Sequence, residues 1–199
     1  GKPATIAADP QTISVEADGT CRSLIDGVVR TRGTKIWISP YLEIDGYVDF
    51  HSGNIEFQGD VTIRKGVRDR FRVVTSGDLV VQQLIEAAHL EAGGDFRAAG
   101  GMAAKSRGGL RVGQDLVARY LDSVIGSVGR DATIEREMIQ CDLAIGGDLR
   151  ILRGALIGGV TRVGGTAHLP ELGSRAHLKT ELILGTLPEL DKLLTRLQE

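Results

Sequence analysis

Hydrophobic and polar residues alternate in short runs along most of the chain, and these runs return at a regular spacing. Val61 and Ile63 stand at the two-residue spacing of a strand with one buried face, and Leu79 and Val81 repeat it one period later. Runs this short cannot form hairpins that enclose their own core. We therefore predict a coil with three short strands per turn, each turn stacked about 4.8 Å from the last.

A short phrase, glycine and aspartate followed by an apolar residue, marks each return between about residues 45 and 170. Its copies, the last one degenerate, are Gly59-Asp60-Val61, Gly77-Asp78-Leu79, Gly94-Asp95-Phe96, Gln114-Asp115-Leu116, Arg130-Asp131-Ala132, Gly147-Asp148-Leu149 and Gly165-Thr166-Ala167. The steps between the second positions are 18, 17, 20, 16, 17 and 18 residues. Such a period is typical of stacked repeats. Seven copies predict about six or seven turns.

The Gly-Asp pairs suit the corners of such a coil. Glycine adopts positive φ where a chain bends, and a following aspartate accepts local backbone N–H groups. The alternative is a ladder of carboxylates that binds calcium, as in nonapeptide β-rolls, which need acidic residues at a denser, nine-residue spacing. Because that spacing is absent from the sequence, we predict corners and no metal site.

The handedness of the coil depends on how regular the repeat is. Val61, Val67, Val73 and Leu79 follow one another at steps of six, which suits a left-handed hexapeptide coil. The later steps of 16, 17 and 20 residues break this register and favour a less regular, right-handed coil. We predict the right-handed form.

The complete fold prediction is all-β: a single-stranded parallel β-helix over residues 46–183, a small β-rich unit over 1–45 and a helix over 184–199. The N-terminal unit is predicted to cover the first turn with five strands, at Ala4–Ala8, Thr12–Glu16, Ser23–Ile25, Val28–Thr31 and Lys35–Ser39. We expect Trp37 to be its core residue. A ligand-stacking role for Trp37 is the alternative.

The far end of the chain changes from strand to helix patterning. Thr186 and Glu189 form a capping box with Pro188 in the first turn. The residues Leu187, Leu190, Leu194 and Leu197 then follow a helical 3-4-3 spacing. This seam predicts either packing against the last turn or the start of a longer coiled coil. A homo-oligomer formed through the helix or through the solenoid ends follows as a further expectation.

Composition supports a thin core and narrows the function classes. The 199 residues include 27 glycines but only 4% aromatic residues, and the net charge is −2 without long runs of one sign. Nucleic-acid binding therefore gains no electrostatic support, and no apolar stretch approaches the roughly 20 residues of a membrane span. Cys21 and Cys141 lack metal-type spacing and suggest reduced cytosolic thiols, with a disulfide as the alternative. The start at Gly-Lys-Pro suggests an excised portion of a longer protein.

Taken in order, these segments resemble the bacterial flagellar assembly protein A family, long described as a domain of unknown function. The most specific match is the stretch 42–57, LEIDGYVDFHSGNIEF, which resembles the family's entry into its solenoid. The repeated Gly-Asp corners, the upstream stretches 25–27 and 36–40, and the closing stretches 172–174 and 179–182 also fit. Two departures are Tyr47, where the family often has a small acidic or polar residue, and the irregular glycine-rich insertion at 100–109.

The resemblance implies a bacterial, cytoplasmic scaffold that acts by protein–protein interaction in flagellar assembly or polar localisation, with flagellar or polar regulators as partners. Members of the family are typically longer, so the chain corresponds to the solenoid portion. No enzymatic activity comes with the resemblance. We predict no catalytic, cofactor-binding or metal-binding residues, no cofactor, no nucleic-acid partner and no membrane span.

The chemistry-bearing residues give little support to an enzyme. His51, His89, His168 and His177 lie in different repeats, and none forms a metal-ligand pair. His89 or His168 as the base of a hexapeptide-coil acyltransferase is the enzyme alternative. The glycine pairs precede strands and lack the helix and lysine of a phosphate loop. Asp142 with Asp148, or Glu135 with Glu137, fit exposed edges as well as they fit a paired acid and base.

Two basic segments are the remaining candidates for binding. The glycine-flanked residues Lys105, Ser106 and Arg107 form either a recognition loop or a mobile bulge. Arg64, Lys65, Arg68, Arg70 and Arg72 cluster on the second turn. They suggest a solvated face or, as a third hypothesis, an anionic polysaccharide-binding β-helix.

Overall fold

A computed structural model describes residues 7–175 and 178–185 of the chain. Every regular element in these ranges is a β-strand, which confirms the all-β prediction. The predicted C-terminal helix starts too early, because its first residue, Leu184, ends a β-strand, and its sequence from residue 186 on lies outside the described residues. Within them, no helix is long and apolar enough to cross a membrane.

Five short strands form a separate unit ahead of the solenoid. They are β1 (Ala7–Ala8), β2 (Ile13–Val15), β3 (Cys21–Ser23), β4 (Val28–Arg32) and β5 (Lys35–Ser39). An antiparallel hairpin joins β2 to β3, while β5 pairs antiparallel with β4 and parallel with β1. No described strand of this unit pairs with the solenoid.

The core of the N-terminal unit differs from the prediction. Its buried apolar side chains in the described part of the unit are Ile13 and Ile38, whereas Trp37 is only half-buried. Side chains alternate along a strand, so Trp37 and Ile38 point to opposite faces of β5. The unit is thin, and burial of Ile38 leaves its neighbour partly exposed.

The rest of the chain winds into a parallel solenoid with three faces, which we number in chain order. Face 1 is one continuous sheet with a strand from every turn. Its strands are β6 (Tyr41–Ile44), β8 (Asp60–Ile63), β10 (Leu79–Val81), β12 (Phe96–Ala98), β15 (Leu116–Ala118), β18 (Ala132–Ile134), β20 (Leu149–Ile151) and β22 (Ala167–His168).

Faces 2 and 3 complete each turn. Face 2 is narrow and consists of single bridges at Val48, Val67 and Ile85, then β13 (Met102–Ala103), β16 (Leu121–Asp122), the first residues of β19 (Met138–Ile145) and β21 (Ala155–Val163), and β23 (Glu171–Leu172). Face 3 contains β7 (Ile55–Phe57), β9 (Arg72–Thr75), β11 (His89–Ala92), β14 (Gly109–Val112), β17 (Ile125–Val128), the remainder of β19 and β21, and β24 (Thr180–Leu184).

The solenoid has eight turns, so the predicted six or seven were too few. Face 1 contains eight strands, and the first of them, Tyr41–Ile44, starts five residues before the predicted boundary at 46. This strand follows Pro40 and lacks the Gly-Asp phrase by which the turns were counted. The handedness of the coil stays a prediction.

The core is a set of apolar ladders along the inside of the three faces. Leu79 is paired with Val61 on one side and with Phe96 on the other, which confirms the predicted stacking of these residues on adjacent turns. All three are at most 1% exposed. The four residues at steps of six, Val61, Val67, Val73 and Leu79, are also buried, one on each successive face. Burial of such ladders supplies the main stabilisation of the fold.

The Gly-Asp corners work differently from the prediction. Only Gly59 among their glycines has positive φ. At Gly94 a Cβ atom would lie 2.2 Å from the Asp78 Oδ1 atom of the turn before, so the position needs glycine for space. That Oδ1 atom accepts the N–H of Asp95 at 2.8 Å, and therefore joins two turns rather than closing a local turn.

The same contact repeats along the corner. The carboxylates of Asp60, Asp78, Asp95, Asp115, Asp131 and Asp148 each accept the backbone N–H of the equivalent residue one turn later. The N···O distance is 2.7–2.9 Å where glycine precedes the donor and 3.1 Å where Gln114 or Arg130 does. A Cβ atom at this position thus holds the turns slightly further apart.

The two cysteines are free and differ in environment. Cys21 is exposed in the N-terminal unit, whereas Cys141 is buried in β19. Burial raises the pKa of the Cys141 thiol to about 11. At pH 8, only about one Cys141 thiol in a thousand is therefore ionised. Because the thiolate is the reactive form, Cys141 should react slowly even if a reagent could reach it.

We therefore expect a thiol reagent such as Ellman's reagent to titrate one cysteine quickly in the folded chain and the second only after denaturation. A Cys21→Ser variant should show almost no fast phase. Two fast equivalents in the folded chain would contradict the burial of Cys141.

Candidate functional site

The solenoid spreads the predicted chemistry-bearing residues over different faces and turns. His51 lies in the loop after Val48, His89 starts the face 3 strand of the third turn, and His168 is on face 1 of the eighth turn. His177 lies outside the described residues. In the described ranges, no three His, Cys, Asp or Glu side chains converge as metal ligands.

The two proposed carboxylate pairs differ in their placement. Asp142 lies on face 3 beside Arg162, whereas Asp148 belongs to the Gly-Asp corner. Glu135 stands at the corner between faces 1 and 2, and Glu137 lies one residue before β19. Asp142 and Asp148 therefore lie in different surroundings, whereas Glu135 and Glu137 stand at the same corner, two residues apart.

The basic residues of the second turn are partly neutralised by their neighbours. Arg68 forms an ion pair with Glu86, and its guanidinium lies 4.2 Å from the ring centroid of Tyr47. The hydrogen bond that Arg68 donates to the Glu86 carboxylate raises the pKa of Arg68, so this guanidinium stays charged. Arg72 lies 3.6 Å from Glu91 on face 3. These contacts favour a solvated, internally paired surface over a polysaccharide site.

The insertion at 105–107 forms an exposed corner between faces 2 and 3. Lys105 and Ser106 both have positive φ, and the Lys105 ammonium lies 3.8 Å from Asp69 two turns earlier. The N–H of Ala87 and then the charge of Lys105 hold the pKa of Asp69 below its ordinary value. This exposed corner stays a candidate for binding.

An open groove runs along face 3, and we call it the face 3 groove. Its volume is about 580 Å³. Its rim and floor come from the second to the seventh turns and include His89, Glu91, Arg111, Ile125, Asp142 and Arg162. None of these residues are neighbours in the sequence, because each turn contributes only one or two of them.

The groove exists because several outward positions on face 3 carry small side chains. Gly109 lies beneath His89, where a Cβ atom would be 3.0 Å from Nδ1. In the next turns, the outward positions in line with Arg111 are Ser127 and Ala144. Larger side chains at the same outward position in the turns before and after, such as Glu91 and Arg162, form the walls.

The walls of the groove are charged, and its floor includes an apolar residue. Glu91 lies between Arg72 and Arg111, with N···O distances of 3.6 Å to each. At the other end, Arg162 Nη1 lies 2.9 Å from Asp142 Oδ1. Ile125 is 50% exposed between these two charged groups. Exposed pairs with N···O distances of 3.6 Å are weak, so a ligand carboxylate competes for Arg111 at little cost.

This arrangement suits an extended segment that carries one acidic and one apolar side chain. Sequence analysis missed the groove, since its residues are assembled only when the register between turns is known. The signal available in the sequence was the set of small residues Gly109, Ser127 and Ala144 at strand positions where other turns carry large side chains.

A family model, described as Flagellar Assembly Protein A beta solenoid domain, matches residues 40–199. The matched range begins one residue before β6 and contains all eight turns of the solenoid. No curated protein and no solved structure shows significant similarity to the chain.

Proposed function

The chain belongs to the flagellar assembly protein A family through its β-solenoid domain, and from this membership we propose that it is a non-enzymatic scaffold in flagellar assembly or polar localisation. It acts in the cytoplasm by binding flagellar or polar regulators. Family membership over residues 40–199 is the observation that carries the proposal.

The architecture supports a scaffold role. Each turn of a solenoid contacts only its neighbours, so the stack presents long, fixed surfaces on which partners can dock. Face 3 adds a groove with charged walls and the half-exposed Ile125, a combination found at protein-binding surfaces. We assign partner binding to this groove, with Arg111 as the residue that receives an acidic side chain.

The alternative is a hexapeptide-coil acyltransferase with His89 as its base. One observation favours it, because His89 lines the groove. A catalytic histidine is normally oriented by a hydrogen bond to its second ring nitrogen. Among the described residues no hydrogen bond reaches the imidazole of His89, which favours the scaffold.

Genetic complementation tests the proposal and separates it from the enzyme. In a flagellated host that lacks its own copy, Arg111→Glu in the full-length protein should fail to restore the number and polar position of flagella. It should also lose flagellar or polar proteins that co-purify with the wild type. His89→Gln, which keeps a polar side chain of similar size, should restore both.

The matched control is Arg32→Glu, which makes the same change of charge on an exposed residue of the N-terminal unit. We expect it to behave as the wild type. Loss of function in His89→Gln with Arg111→Glu intact would instead support the acyltransferase. Normal flagella in the deletion strain would refute a role in flagellar assembly.

A further inference from the structure

A second concave surface lies at the corner between faces 1 and 2, on the fourth to the seventh turns. Its volume is about 530 Å³. We call it the arginine cleft and define it by its lining residues, which are Ala99, Arg119, Glu135, Arg136, Leu152 and Arg153. It shares none of them with the face 3 groove. All six are exposed, so the cleft opens to solvent along its length.

The cleft forms where the residues at this corner change from small to large along the stack. The fourth turn contributes only the small residues 99–101, an alanine and two glycines between β12 and β13. The fifth turn carries Arg119 at the corner, and the hydrogen-bonded register places Glu135 and Leu152 in line with it on the next two turns. An arginine follows each of the last two in the sequence. The small corner of the fourth turn therefore leaves space beside a row of long side chains.

The charged groups of the cleft have no partner within the described part of the chain. There, none of Arg119, Arg136 and Arg153 forms an ion pair, and Glu135, which stands beside them, forms none either. The arginines that line the face 3 groove, by contrast, each lie beside a carboxylate. Three positive charges and one negative charge leave the arginine cleft with a net charge of +2.

The arginines are spaced closely enough to share one tetrahedral anion. They come from three successive turns, and adjacent turns are about 4.8 Å apart. Each planar guanidinium donates two parallel N–H groups, which match the oxygens of a phosphate. A phosphate monoester at pH 7 carries close to two negative charges, about the charge that balances the cleft, and has three free acceptor oxygens. A carboxylate has one charge and two oxygens, so it would leave part of the cleft unpaired.

We propose that the arginine cleft binds the phosphate group of a phosphorylated serine or threonine in an extended segment of a partner protein. Arginine clusters are a recurrent means of recognising phosphorylated segments. The proposal concerns a site separate from the face 3 groove, so each can be tested without the other.

The surroundings of the arginines favour a protein segment as the source of the phosphate. Leu152, 52% exposed, offers an apolar contact to a neighbouring side chain of the segment. Towards face 1, a smaller cavity of about 40 Å³ continues the cleft past Arg119 to Arg97, so an extended chain can lie across the corner. Free phosphate esters are usually held in pockets that enclose most of their surface, unlike this open cleft. No aromatic ring lines the cleft in the described residues, so the base of a nucleotide has no stacking partner there.

Glu135 restricts which anions the cleft accepts. Its carboxylate repels ligands that carry a long row of negative charges, such as nucleic acid. Beside a single phosphate it can instead accept a backbone N–H of the bound segment, since an ionised carboxylate is an acceptor only. The site therefore suits one phosphate on an otherwise uncharged chain.

Fluorescence anisotropy with the complete 199-residue chain tests this proposal. The probe is a fluorescein-labelled mixture of short peptides, each with one central phosphoserine between positions of mixed sequence. It should bind with saturation, and at least about tenfold more tightly than the same mixture with unmodified serine, because only the phosphate accepts the charge-assisted hydrogen bonds. A mixture with glutamate in place of phosphoserine should also bind more weakly.

Replacing two of the arginines tests the position of the site. Arg136→Glu combined with Arg153→Glu should lower the affinity for the phosphorylated mixture at least about tenfold. Both side chains are exposed, and circular dichroism checks that the fold is kept. Arg32→Glu combined with Arg175→Glu is the matched control, because it makes the same change of charge on exposed residues elsewhere. This control should bind as the wild type does.

Competition distinguishes the possible sources of the phosphate. Free O-phosphoserine and a short single-stranded oligonucleotide should each displace the probe only at much higher phosphate concentration than the unlabelled phosphorylated mixture. Equal competition by either would overturn the assignment to a phosphorylated protein segment. The absence of saturable binding, equal affinity for the unmodified mixture, or unchanged affinity after the Arg136 and Arg153 replacements would overturn the site itself.

Discussion

Replacing Phe96 with alanine is expected to lower the free energy of unfolding by about 3–5 kcal/mol. Phe96 is the largest fully buried side chain, 1% exposed, and lies between Leu79 and Leu116 in the ladder of face 1. Alanine would leave a cavity at the middle of the stack. Because its walls are backbone ladders with fixed spacing, the surrounding turns can collapse only slightly into the space.

Urea unfolding followed by circular dichroism measures this loss, with the m-value checked for constancy. Phe50→Ala is the matched control, because the Phe50 side chain is 95% exposed and its ring forms a T-shaped contact with the Phe71 ring at a centroid distance of 5.2 Å. We expect it to cost less than about 1 kcal/mol. Equal losses in the two variants would mean that Phe96 does not lie in the core.

Replacing Gly113 with alanine should destabilise the solenoid by about 3 kcal/mol, although the residue is exposed and makes no side-chain contact. Its Cβ atom would lie 2.1 Å from the carbonyl oxygen of Gly93 in the turn before. Gly93, Gly129 and Gly146 are equally close to the turn before them, with Cβ distances of 2.1–2.3 Å to carbonyl oxygens. A methyl group here must push apart two backbones that are held by ladder hydrogen bonds.

Gly46→Ala is the control, since no atom lies within 4 Å of the corresponding Cβ position and its φ is not positive. There we expect no loss, or a gain of about 0.4–1 kcal/mol from the restricted unfolded chain. Thermal unfolding of both variants in the same buffer gives the comparison. A Gly113→Ala variant as stable as the wild type would show that these turns are not in close contact.

Much of the fold could be predicted from the repeat because each turn carries its own copy of the pattern. The inward residues Val61, Leu79 and Phe96 stand at the same position of successive copies, and parallel stacking in register is the arrangement that buries them all. The first turn was not counted because its face 1 strand, Tyr41–Ile44, is preceded by Pro40 instead of a Gly-Asp pair. A turn is defined by its hydrogen bonds to the neighbouring turns. The Gly-Asp motif accompanies most turns but is not required for one.

The position of the Gly-Asp corners was predicted correctly, but the predicted reason for glycine and aspartate at these corners was wrong. Sequence preference associates glycine with positive φ and aspartate with local turns. In the stack, both residues instead serve contacts between turns 16 to 20 residues apart. Local residue preferences describe only the conformation of each residue and its neighbours in the sequence. They therefore could not identify a contact with the backbone of the adjacent turn.

The sequence by itself determined the all-β class, the stacked repeat and the inward aliphatic ladders, because the same pattern of apolar positions recurs in successive repeats. It also showed the resemblance that the family match confirmed. Only the tertiary structure decided the number of turns, the contact that requires glycine at the corners and the groove of face 3. These features arise from residues that lie one or more turns apart in the sequence. Their relative positions depend on the register between turns, which the steps of 16 to 20 residues shift at almost every turn.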